Sequence, residues 1–185
     1  KQLLSSIPEK AAIVASTGKC GRELFTLAAR PQHLYQVGSM GCAAPMGLGV
    51  ALNVTRPVIV LDGDGAALMK LGAMATIGAE GPNNLVHIIL DNGVHDSTGG
   101  QPTVSASVDF AGVALSCGYA DAALADDPNG FAQALAAALE NPGPHLIHVR
   151  IRPGSQDNLG RPTLSPREVA DRFKAFLASP NNATD

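Results

Sequence analysis

The sequence contains few cysteines, few charges and no long apolar run, and each shortage argues against a class of protein. Its three cysteines, Cys20, Cys42 and Cys117, are widely spaced and form no CxxC pair. This spacing argues against a disulfide framework and a zinc site, and it favours a reducing, cytoplasmic setting. Only 16% of the 185 residues are charged, which is less than an average soluble domain carries. We therefore expect another protein chain to cover part of the surface.

The placement of charged and apolar residues narrows the possible partners further. The net charge is −3 and the Lys and Arg residues are scattered, so the sequence shows no basic stripe that would neutralise a nucleic-acid backbone. The opening segment, KQLLSSIPEKAAIVAS, is interrupted by Pro8, Glu9 and Lys10. It offers neither a signal-peptide core nor the roughly 20 apolar residues of a membrane span. We expect no nucleic-acid partner and no membrane partner.

Short, nearly continuous apolar runs alternate with segments of helical length along the chain. The runs have the composition of parallel strands that are covered on both faces. Their alternation with helices predicts a doubly wound α/β fold with a mainly parallel sheet, helices on both faces and right-handed crossovers. The length favours a single domain over 1–185. The predicted strands are 11–16, 57–62, 85–90 and 145–151, and the predicted helices are 21–30, 43–54, 65–80 and 129–141.

The carboxy-terminal segment predicts a polar loop over 152–166 and a closing helix over 166–178. Ser165 is a suitable N-cap for this helix, and Glu168 completes a capping box with it. The residues after Ser179 are expected to fray.

The run VIVLDGDGAALMK places a carboxylate, Asp64, between two glycines at the end of a predicted strand. Ligands of doubly wound folds bind beyond the carboxyl ends of the strands. Gly63 and Gly65 leave room for a bulky anion to approach the backbone N–H groups of the next helix. Because a bare carboxylate would repel that anion, we infer a divalent cation between them, with Asp64 as an oxygen ligand. An Asp-Gly turn is the competing structural explanation.

A second apolar strand, LVHIIL, is followed by Asp91, Asn92 and Gly93. One helix and one strand separate Asn92 from Asp64, so a right-handed crossover would set the two strand ends side by side. The amide oxygen of Asn92 would then be available to the same cation. An Asn-Gly turn explains this segment alone, but two such strand ends favour a metal site.

These ordered motifs, GDG and then DN, resemble the diphosphate-binding domain of the thiamine diphosphate-dependent enzymes over about residues 11 to 150. The resemblance implies the thiamine diphosphate-binding fold, with thiamine diphosphate and Mg²⁺ as cofactors. It implies that the side chains of Asp64 and Asn92 and the main-chain carbonyl of Val94 bind Mg²⁺. The implied cofactor-binding residues are Thr17, Gly18, Gly38, Ser39, Met40, Gly63, Gly65, Ala66 and Asn92.

Two further segments carry the same resemblance. VGSMGCAAPMGLGVAL is similar to the segment that holds the aminopyrimidine ring of the cofactor. There the carbonyl of Gly38 would accept a hydrogen bond from the amino group, and Met40 would be the apolar wedge that bends the cofactor. STGKCGREL resembles the first loop of the domain, which lies at the diphosphate. Lys19 departs from the small polar residues expected in this loop, and its role is open.

The stretch DNGVHDSTGGQPT resembles the phosphonopyruvate and sulfopyruvate decarboxylases, which implies a small anionic 2-oxo acid as substrate. Ser97, Thr98 and the N–H groups near Gly99 and Gly100 predict an anion cradle at a helix start. His95 would add a proton or a positive charge, so the candidate catalytic residues are His95, Ser97 and Thr98. A simple helix cap explains Ser97 and Thr98 about equally well.

The resemblance also implies a missing half of the active site. In the family, a glutamate on a pyrimidine-binding domain activates the cofactor, and no glutamate of this chain lies in a matching motif. A pyrimidine-binding domain or subunit is therefore the expected partner, in a hetero- or homo-oligomer. The chain would be either the smaller subunit of a two-chain enzyme or the C-terminal piece of a longer one, and its start at Lys1 rather than Met adds to the expectation of upstream sequence.

Two alternative functions stay open on the sequence alone. VIVLDGDGAAL also resembles the first motif of haloacid dehalogenase-type phosphatases, with Asp62 as nucleophile and Asp64 as acid. The second alternative is a non-catalytic partner that binds the cofactor only to stabilise another subunit. The remaining histidines are expected to be structural within strands at His87, His145 and His148, and on a surface loop at His33.

Overall fold

A computed structural model describes residues 1–179 of the chain, and the tail that the sequence predicts to fray lies outside these residues. The strands are β1 (Ala12–Ala15), β2 (His33–Tyr35), β3 (Val58–Gly63), β4 (Leu85–Asp91), β5 (Val94–His95), β6 (Gln101–Pro102), β7 (Asp121–Ala125) and β8 (His145–Arg150). The helices are α1 (Gln2–Ser6), α2 (Lys19–Leu27), α3 (Ala43–Ala51), α4 (Asp64–Met69), α5 (Ala73–Glu80), α6 (Phe110–Ser116), α7 (Pro128–Glu140) and α8 (Pro166–Ala178), and a 3₁₀ turn covers Ser105–Ser107.

Six of the strands form one parallel sheet in the order β2-β1-β3-β4-β8-β7. Every neighbouring pair in this sheet is parallel, so the predicted doubly wound α/β fold is confirmed. The four strands predicted from the sequence are the four inner ones. The two edge strands, β2 and β7, were not predicted.

The sheet separates two apolar cores, because alternate residues of each strand point to opposite faces. Val14 of β1 and Val60 of β3 belong to the first core, where they pack beneath α3, α5 and α6. Ile13 and Ile59 belong to the second core, with side chains from α2 and α7. Since helices cover both faces, the carboxyl ends of the strands remain as the open edge of the sheet.

The segment predicted as one helix over 65–80 is two helices, α4 and α5. Lys70 leaves the helical conformation with φ −134° and ψ 40°, and Ala73 N donates to Lys70 O across the turn at 2.8 Å. The break allows α4 to stay over the end of β3. The second helix, α5, turns Met74 and Ile77 into the first core, where both are fully buried.

The closing helix α8 begins at Pro166 after the N-cap Ser165, and the capping box with Glu168 is present. Val169 and Phe173 of this helix are buried against the body of the fold. None of the helices within residues 1–179 combines the length and the apolarity needed to cross a membrane.

His33 does not lie on a surface loop, as the sequence suggested. It is the first residue of β2 and is 1% exposed, and its Nδ1 lies 3.4 Å from the hydroxyl of Tyr35. Burial lowers the pKa of His33 to about 4, and the charges of Arg30 and Arg172 act in the same direction.

Candidate active site

A small crevice of about 90 Å³, partly open to solvent, lies at the carboxyl ends of β1, β3 and β4. Four predicted site residues, Gly18, Gly38, Ser39 and Thr98, are not part of its lining. The predicted residues that do line it are Thr17, Met40, Gly63, Asp64, Gly65, Ala66, Asn92, Val94, His95 and Ser97. The two strand ends singled out from the sequence therefore face the same space.

Asp64 is the first residue of α4 and is only 2% exposed, although it borders the crevice. Its Oδ2 accepts a hydrogen bond of 2.5 Å from the hydroxyl of Thr103. Among the described residues, Oδ2 is the only oxygen of this carboxylate that accepts a hydrogen bond. The other oxygen, Oδ1, therefore has both lone pairs free for a ligand from outside the chain, whereas Oδ2 keeps one.

Asn92 and Val94 lie on the loop that leaves β4 on the other side of the crevice. The side-chain oxygen of Asn92 accepts a hydrogen bond from Val94 N at 3.1 Å, which closes a tight turn. An amide oxygen has a second lone pair for a cation. Within residues 1–179 no three His, Cys, Asp or Glu side chains converge as a metal cluster, so a cation here would depend on one carboxylate with neutral oxygens.

The amino end of α4 lies against the side chains of His95 and Met40. A Cβ atom on Gly65 would lie 2.5 Å from His95 Cε1 and 3.2 Å from Met40 Cε. Any larger residue at position 65 would displace the imidazole ring. The glycine is thus required for the close contact that brings His95 over the start of α4.

The loop before α3 has an unusual backbone in the segment that resembles the aminopyrimidine site. Gly38, Ser39 and Gly41 have positive φ angles of 69°, 44° and 89°. Ser39 is held in this conformation through its carbonyl, which accepts from Gln36 Nε2 at 2.7 Å and from Cys42 N at 3.0 Å. Such a conformation in a residue other than glycine costs roughly 1 kcal/mol or more. The bent loop places Met40 in the crevice and leaves Gly38 and Ser39 outside its lining.

The expected helix start at Ser97 and Thr98 is wrong, because the segment forms an antiparallel hairpin. Val94 pairs with Pro102, and His95 pairs with Gln101. In the turn, the N–H groups of Thr98 and Gly100 both donate to His95 O, at 3.1 and 3.0 Å. These N–H groups are therefore not available as an anion cradle. Thr98 is exposed on the turn, whereas Ser97 borders the crevice.

Lys19, whose role the sequence left open, forms an ion pair at the rim of the crevice. Its Nζ lies 2.9 Å from Asp96 Oδ2, and the same oxygen accepts from Gly154 N at 3.1 Å. One carboxylate thus joins the loops that follow β1, β4 and β8. Nearby, burial raises the pKa of Glu23, with Lys19 acting to lower it and Asp96 to raise it.

The loop that follows β1 also contacts the hairpin that follows β4 directly. Gly18 has φ +97°, and a Cβ atom there would lie 2.5 Å from Ser97 Oγ. Glycine therefore meets two requirements at this position, the backbone conformation and the close approach of the neighbouring hairpin.

Comparison with known proteins decides the family of the chain. The family described as the C-terminal TPP binding domain of thiamine pyrophosphate enzymes matches residues 16–149. The chain belongs to this family. A solved structure described as a putative thiamin diphosphate-dependent enzyme from Mycobacterium smegmatis shares the fold, with a TM-score of 0.71 and 24% identity over 83% of this chain and 31% of that one.

Two relatives with curated names are more similar in sequence. A phosphonopyruvate decarboxylase from Streptomyces viridochromogenes is 55% identical over 184 residues, which cover 100% of this chain and 46% of the relative. The sulfopyruvate decarboxylase subunit beta of Methanothermobacter thermautotrophicus is 39% identical over 170 residues, which cover 92% of this chain and 89% of the relative. This TPP-binding domain therefore spans less than half of the phosphonopyruvate decarboxylase.

The phosphatase alternative does not fit this TPP-binding domain. A nucleophilic Asp62 would have to face the crevice, but its side chain is fully buried in the sheet. Asp62 Oδ2 lies 3.5 Å from His87 Nε2 on the neighbouring strand. By the alternation of β3, Asp62 lies on the face of Val58 and Val60 in the first core, whereas the chain leaves the strand at Gly63 and Asp64 begins α4 at the crevice.

The sequence alone did not predict the contacts of three polar residues that lie behind the site, Thr103, Ser105 and Asp91. Thr103 and Ser105 follow the hairpin, and Asp91 precedes Asn92. The sequence does place two hydroxyl residues, Thr103 and Ser105, a few positions after the glycine pair Gly99-Gly100. Their contacts became visible only with the hairpin, because it returns the chain to the end of β3.

Proposed function

We propose that this chain is the diphosphate-binding part of a cytoplasmic, thiamine diphosphate- and Mg²⁺-dependent decarboxylase. Its substrate is a small 2-oxo acid with an anionic group, either 3-phosphonopyruvate or 3-sulfopyruvate. One observation carries the proposal: Asp64, Asn92 and Val94 border the same crevice in a chain of the TPP-binding family. The free, widely spaced cysteines support the cytoplasmic setting.

The chemistry of the donor set fits Mg²⁺. Asp64 offers one free carboxylate oxygen, Asn92 an amide oxygen and Val94 a main-chain carbonyl. Such hard oxygen donors, completed by phosphate oxygens and water, are what Mg²⁺ prefers. The buried carboxylate is oriented by Thr103 before any ligand arrives, so little reorganisation is needed for binding.

The remaining residues of the crevice would orient the cofactor. Thr17, Gly63, Gly65 and Ala66 line the crevice and would surround the diphosphate, with Gly18 beside Thr17 just outside the lining. Small side chains there permit close approach to the backbone. Thiamine diphosphate, when bound, supplies an electron sink for the bond that releases carbon dioxide.

The substrate end of the site would be formed by three side chains. Met40 would be the apolar wedge against the bound cofactor, and the carbonyl of Gly38 would accept a hydrogen bond from its amino group. His95 and Ser97 face the space beyond α4, where His95 can hold a proton beside an anionic substrate. Thr98 is the weakest of the catalytic candidates, since it lies on the exposed turn.

The substrate class is supported by the two relatives and by the rim of the crevice. The names of the relatives specify phosphonopyruvate and sulfopyruvate as their substrates, and both compounds carry an anionic group beside the 2-oxo acid. Lys19 and His95 border the same crevice. Lys19 is paired with Asp96, and both side chains can donate hydrogen bonds to such a molecule.

The active site is completed by a pyrimidine-binding domain or subunit that supplies the activating glutamate. The relative from M. thermautotrophicus is a beta subunit of similar length, whereas the phosphonopyruvate decarboxylase is more than twice as long as the match. Both arrangements provide room for the second domain, and either would place the chain in a hetero- or homo-oligomer.

The test is calorimetry and turnover with the chain assembled with its pyrimidine-binding partner. We expect thiamine diphosphate to bind in the presence of Mg²⁺ and to bind much more weakly with EDTA. Carbon dioxide should be released from 3-phosphonopyruvate or 3-sulfopyruvate at least about tenfold faster than from pyruvate, because the anionic group adds binding energy in the transition state.

Two outcomes would contradict the proposal in different ways. Cofactor binding without turnover of any 2-oxo acid would favour a non-catalytic partner subunit. Hydrolysis of an aryl phosphate without thiamine diphosphate would instead support the phosphatase alternative.

A further inference from the structure

We propose that Thr103 is a positioning residue that holds the two halves of the Mg²⁺ site together before any ligand binds. The inference rests on the proposed function, since it concerns the same site. It adds a residue that is not among the proposed metal or cofactor ligands, and it distinguishes the two oxygens of Asp64.

Thr103 contacts both strand ends at once. Its hydroxyl donates to Asp64 Oδ2 at 2.5 Å, at the end of β3. Its main-chain N–H donates to Gly93 O at 2.8 Å, between the two proposed ligands Asn92 and Val94. A single residue therefore fixes the loop after β3 relative to the loop after β4.

Ser105 continues this connection into the core. Its hydroxyl donates to Asp91 Oδ1 at 2.8 Å, and its N–H donates to Thr103 Oγ1 at 3.3 Å. Asp91 Oδ2 in turn lies 2.8 Å from His148 Nε2. The His148 ring packs edge-on against buried Phe110, with the ring centroids 5.1 Å apart. The network is thus anchored on β8 by a rigid aromatic contact.

The number of available protons determines which group donates in each hydrogen bond of the network. A hydroxyl has one proton to donate, and both ends of the network are carboxylates. The Thr103 proton goes to Asp64, and the Ser105 proton goes to Asp91. The 3.1 Å contact between the two hydroxyl oxygens then carries no proton, and Thr103 Oγ1 accepts from Ser105 N instead.

This arrangement has a direct consequence for the metal. Hydrogen bonds between a hydroxyl and a carboxylate are short and strong, so Thr103 holds Oδ2 towards the hairpin and uses one of its lone pairs. Asp64 would then offer the cation Oδ1, both of whose lone pairs are free. The carboxylate also loses no rotamer freedom on binding, which is the usual benefit of a pre-organised ligand.

The test measures Mg²⁺-dependent binding of thiamine diphosphate to the assembled enzyme by calorimetry, with and without EDTA. The variant Thr103→Val keeps the shape of the side chain but removes the hydroxyl. We expect it to weaken the Mg²⁺-dependent affinity about tenfold, and to raise the Mg²⁺ concentration for half-maximal binding, because a charge-assisted hydrogen bond is lost. The residual binding in EDTA should not change.

Three further variants make the outcome specific. Thr103→Ser restores the hydroxyl and should bind within about twofold of wild type. Thr76→Val makes the same chemical change on an exposed face of α5 and should have no effect. Ser105→Ala retains the bond to Asp64 but loosens the Asp91 side, and it should weaken binding by about threefold.

Wild-type affinity in Thr103→Val, or equal weakening in Thr103→Ser, would overturn the proposal. If Thr103→Val does not fold, as judged by circular dichroism, an unchanged Mg²⁺ requirement in Ser105→Ala would overturn it. A wild-type enzyme that binds thiamine diphosphate equally well with EDTA would instead refute the proposed function, and that result is distinguishable because it needs no variant.

Discussion

Two buried polar clusters lie on neighbouring strands of the sheet, and they differ in how well their groups are hydrogen-bonded. The first is inside a core, where Asp62 Oδ2 lies 3.5 Å from His87 Nε2 and His87 Nδ1 lies 3.3 Å from the Tyr119 hydroxyl. Within residues 1–179, neither Asp62 Oδ2 nor His87 Nε2 has a hydrogen-bond partner. Burial raises the pKa of the Tyr119 hydroxyl, and Cys117 and Asp62 add to this shift.

The second cluster joins Asp64, which borders the crevice, to Thr103, Ser105, Asp91 and His148 behind it. The hydrogen bonds from Thr103 to Asp64, from Ser105 to Asp91 and between His148 and Asp91 are 2.5, 2.8 and 2.8 Å long. Both carboxylates are nearly as buried as Asp62, so burial alone does not distinguish the clusters. The difference lies in the directed donors, which a site needs when it must hold a charge for a ligand.

The largest effect is expected when the second cluster loses its ligand oxygens. Asp64→Ala should abolish Mg²⁺-dependent binding of thiamine diphosphate, because the only carboxylate among the proposed ligands is removed. Calorimetry on the assembled enzyme measures this effect. Asp62→Ala is the matched control, since it removes a buried carboxylate two positions earlier and should leave the affinity unchanged. Wild-type affinity in Asp64→Ala would falsify the assignment.

A third buried histidine, His33, differs from the histidines of the two clusters, because the charged groups near it are arginines rather than a carboxylate. Its folded pKa of about 4 lies below the unfolded value of about 6.5. Between these values the unfolded chain binds more protons, so the free energy of unfolding should decrease as the pH falls from 6.5 to 4. The shift corresponds to about 3 kcal/mol.

Denaturant titrations across this pH range, on wild type and His33→Gln, measure the contribution of His33. The variant should be less stable at neutral pH but should lose less stability on acidification. Parallel pH curves for the two proteins would contradict the prediction.

The smallest effect is expected from the first cluster. Asp62→Ala should destabilise the fold by about 2 kcal/mol, because it leaves His87 buried without its charged neighbour. Replacing both residues by leucine should recover part of this loss, since apolar pairs of similar volume are often tolerated. Chemical denaturation measures both changes. A greater loss in the double variant would show that the pair is more than a structural contact.

The sequence predicts the centre of the fold better than its edges. The four inner strands were predicted because both of their faces are apolar. The edge strands were missed for physical reasons: β2 has three residues and lies between Gln32 and Gln36, and β7 consists mainly of alanine, a weak strand former. His33 was misplaced together with its strand.

The candidate site shows the same limit. Asp64 and Asn92 could be predicted because strand ends of a parallel sheet meet at one edge. The hairpin after Val94 could not, because its pairing involves only two residues on each strand. Without it, the return of Thr103 to Asp64 was not visible, and Thr98 was expected in a helix cap.

The alternation of β3 limits how this domain can change in length. Asp62 lies on the same face of β3 as Val58 and Val60, in the first core, whereas Asp64 reaches the crevice because β3 ends at Gly63 and α4 begins with Asp64. Inserting or deleting one residue within β3 would move the side chains beyond that point to the opposite face, which would take Asp62 out of its core and shift Asp64 relative to the crevice. Indels should therefore accumulate in the segment after Arg150 and be absent from the residues between Val58 and Asp64 in natural variants of this domain.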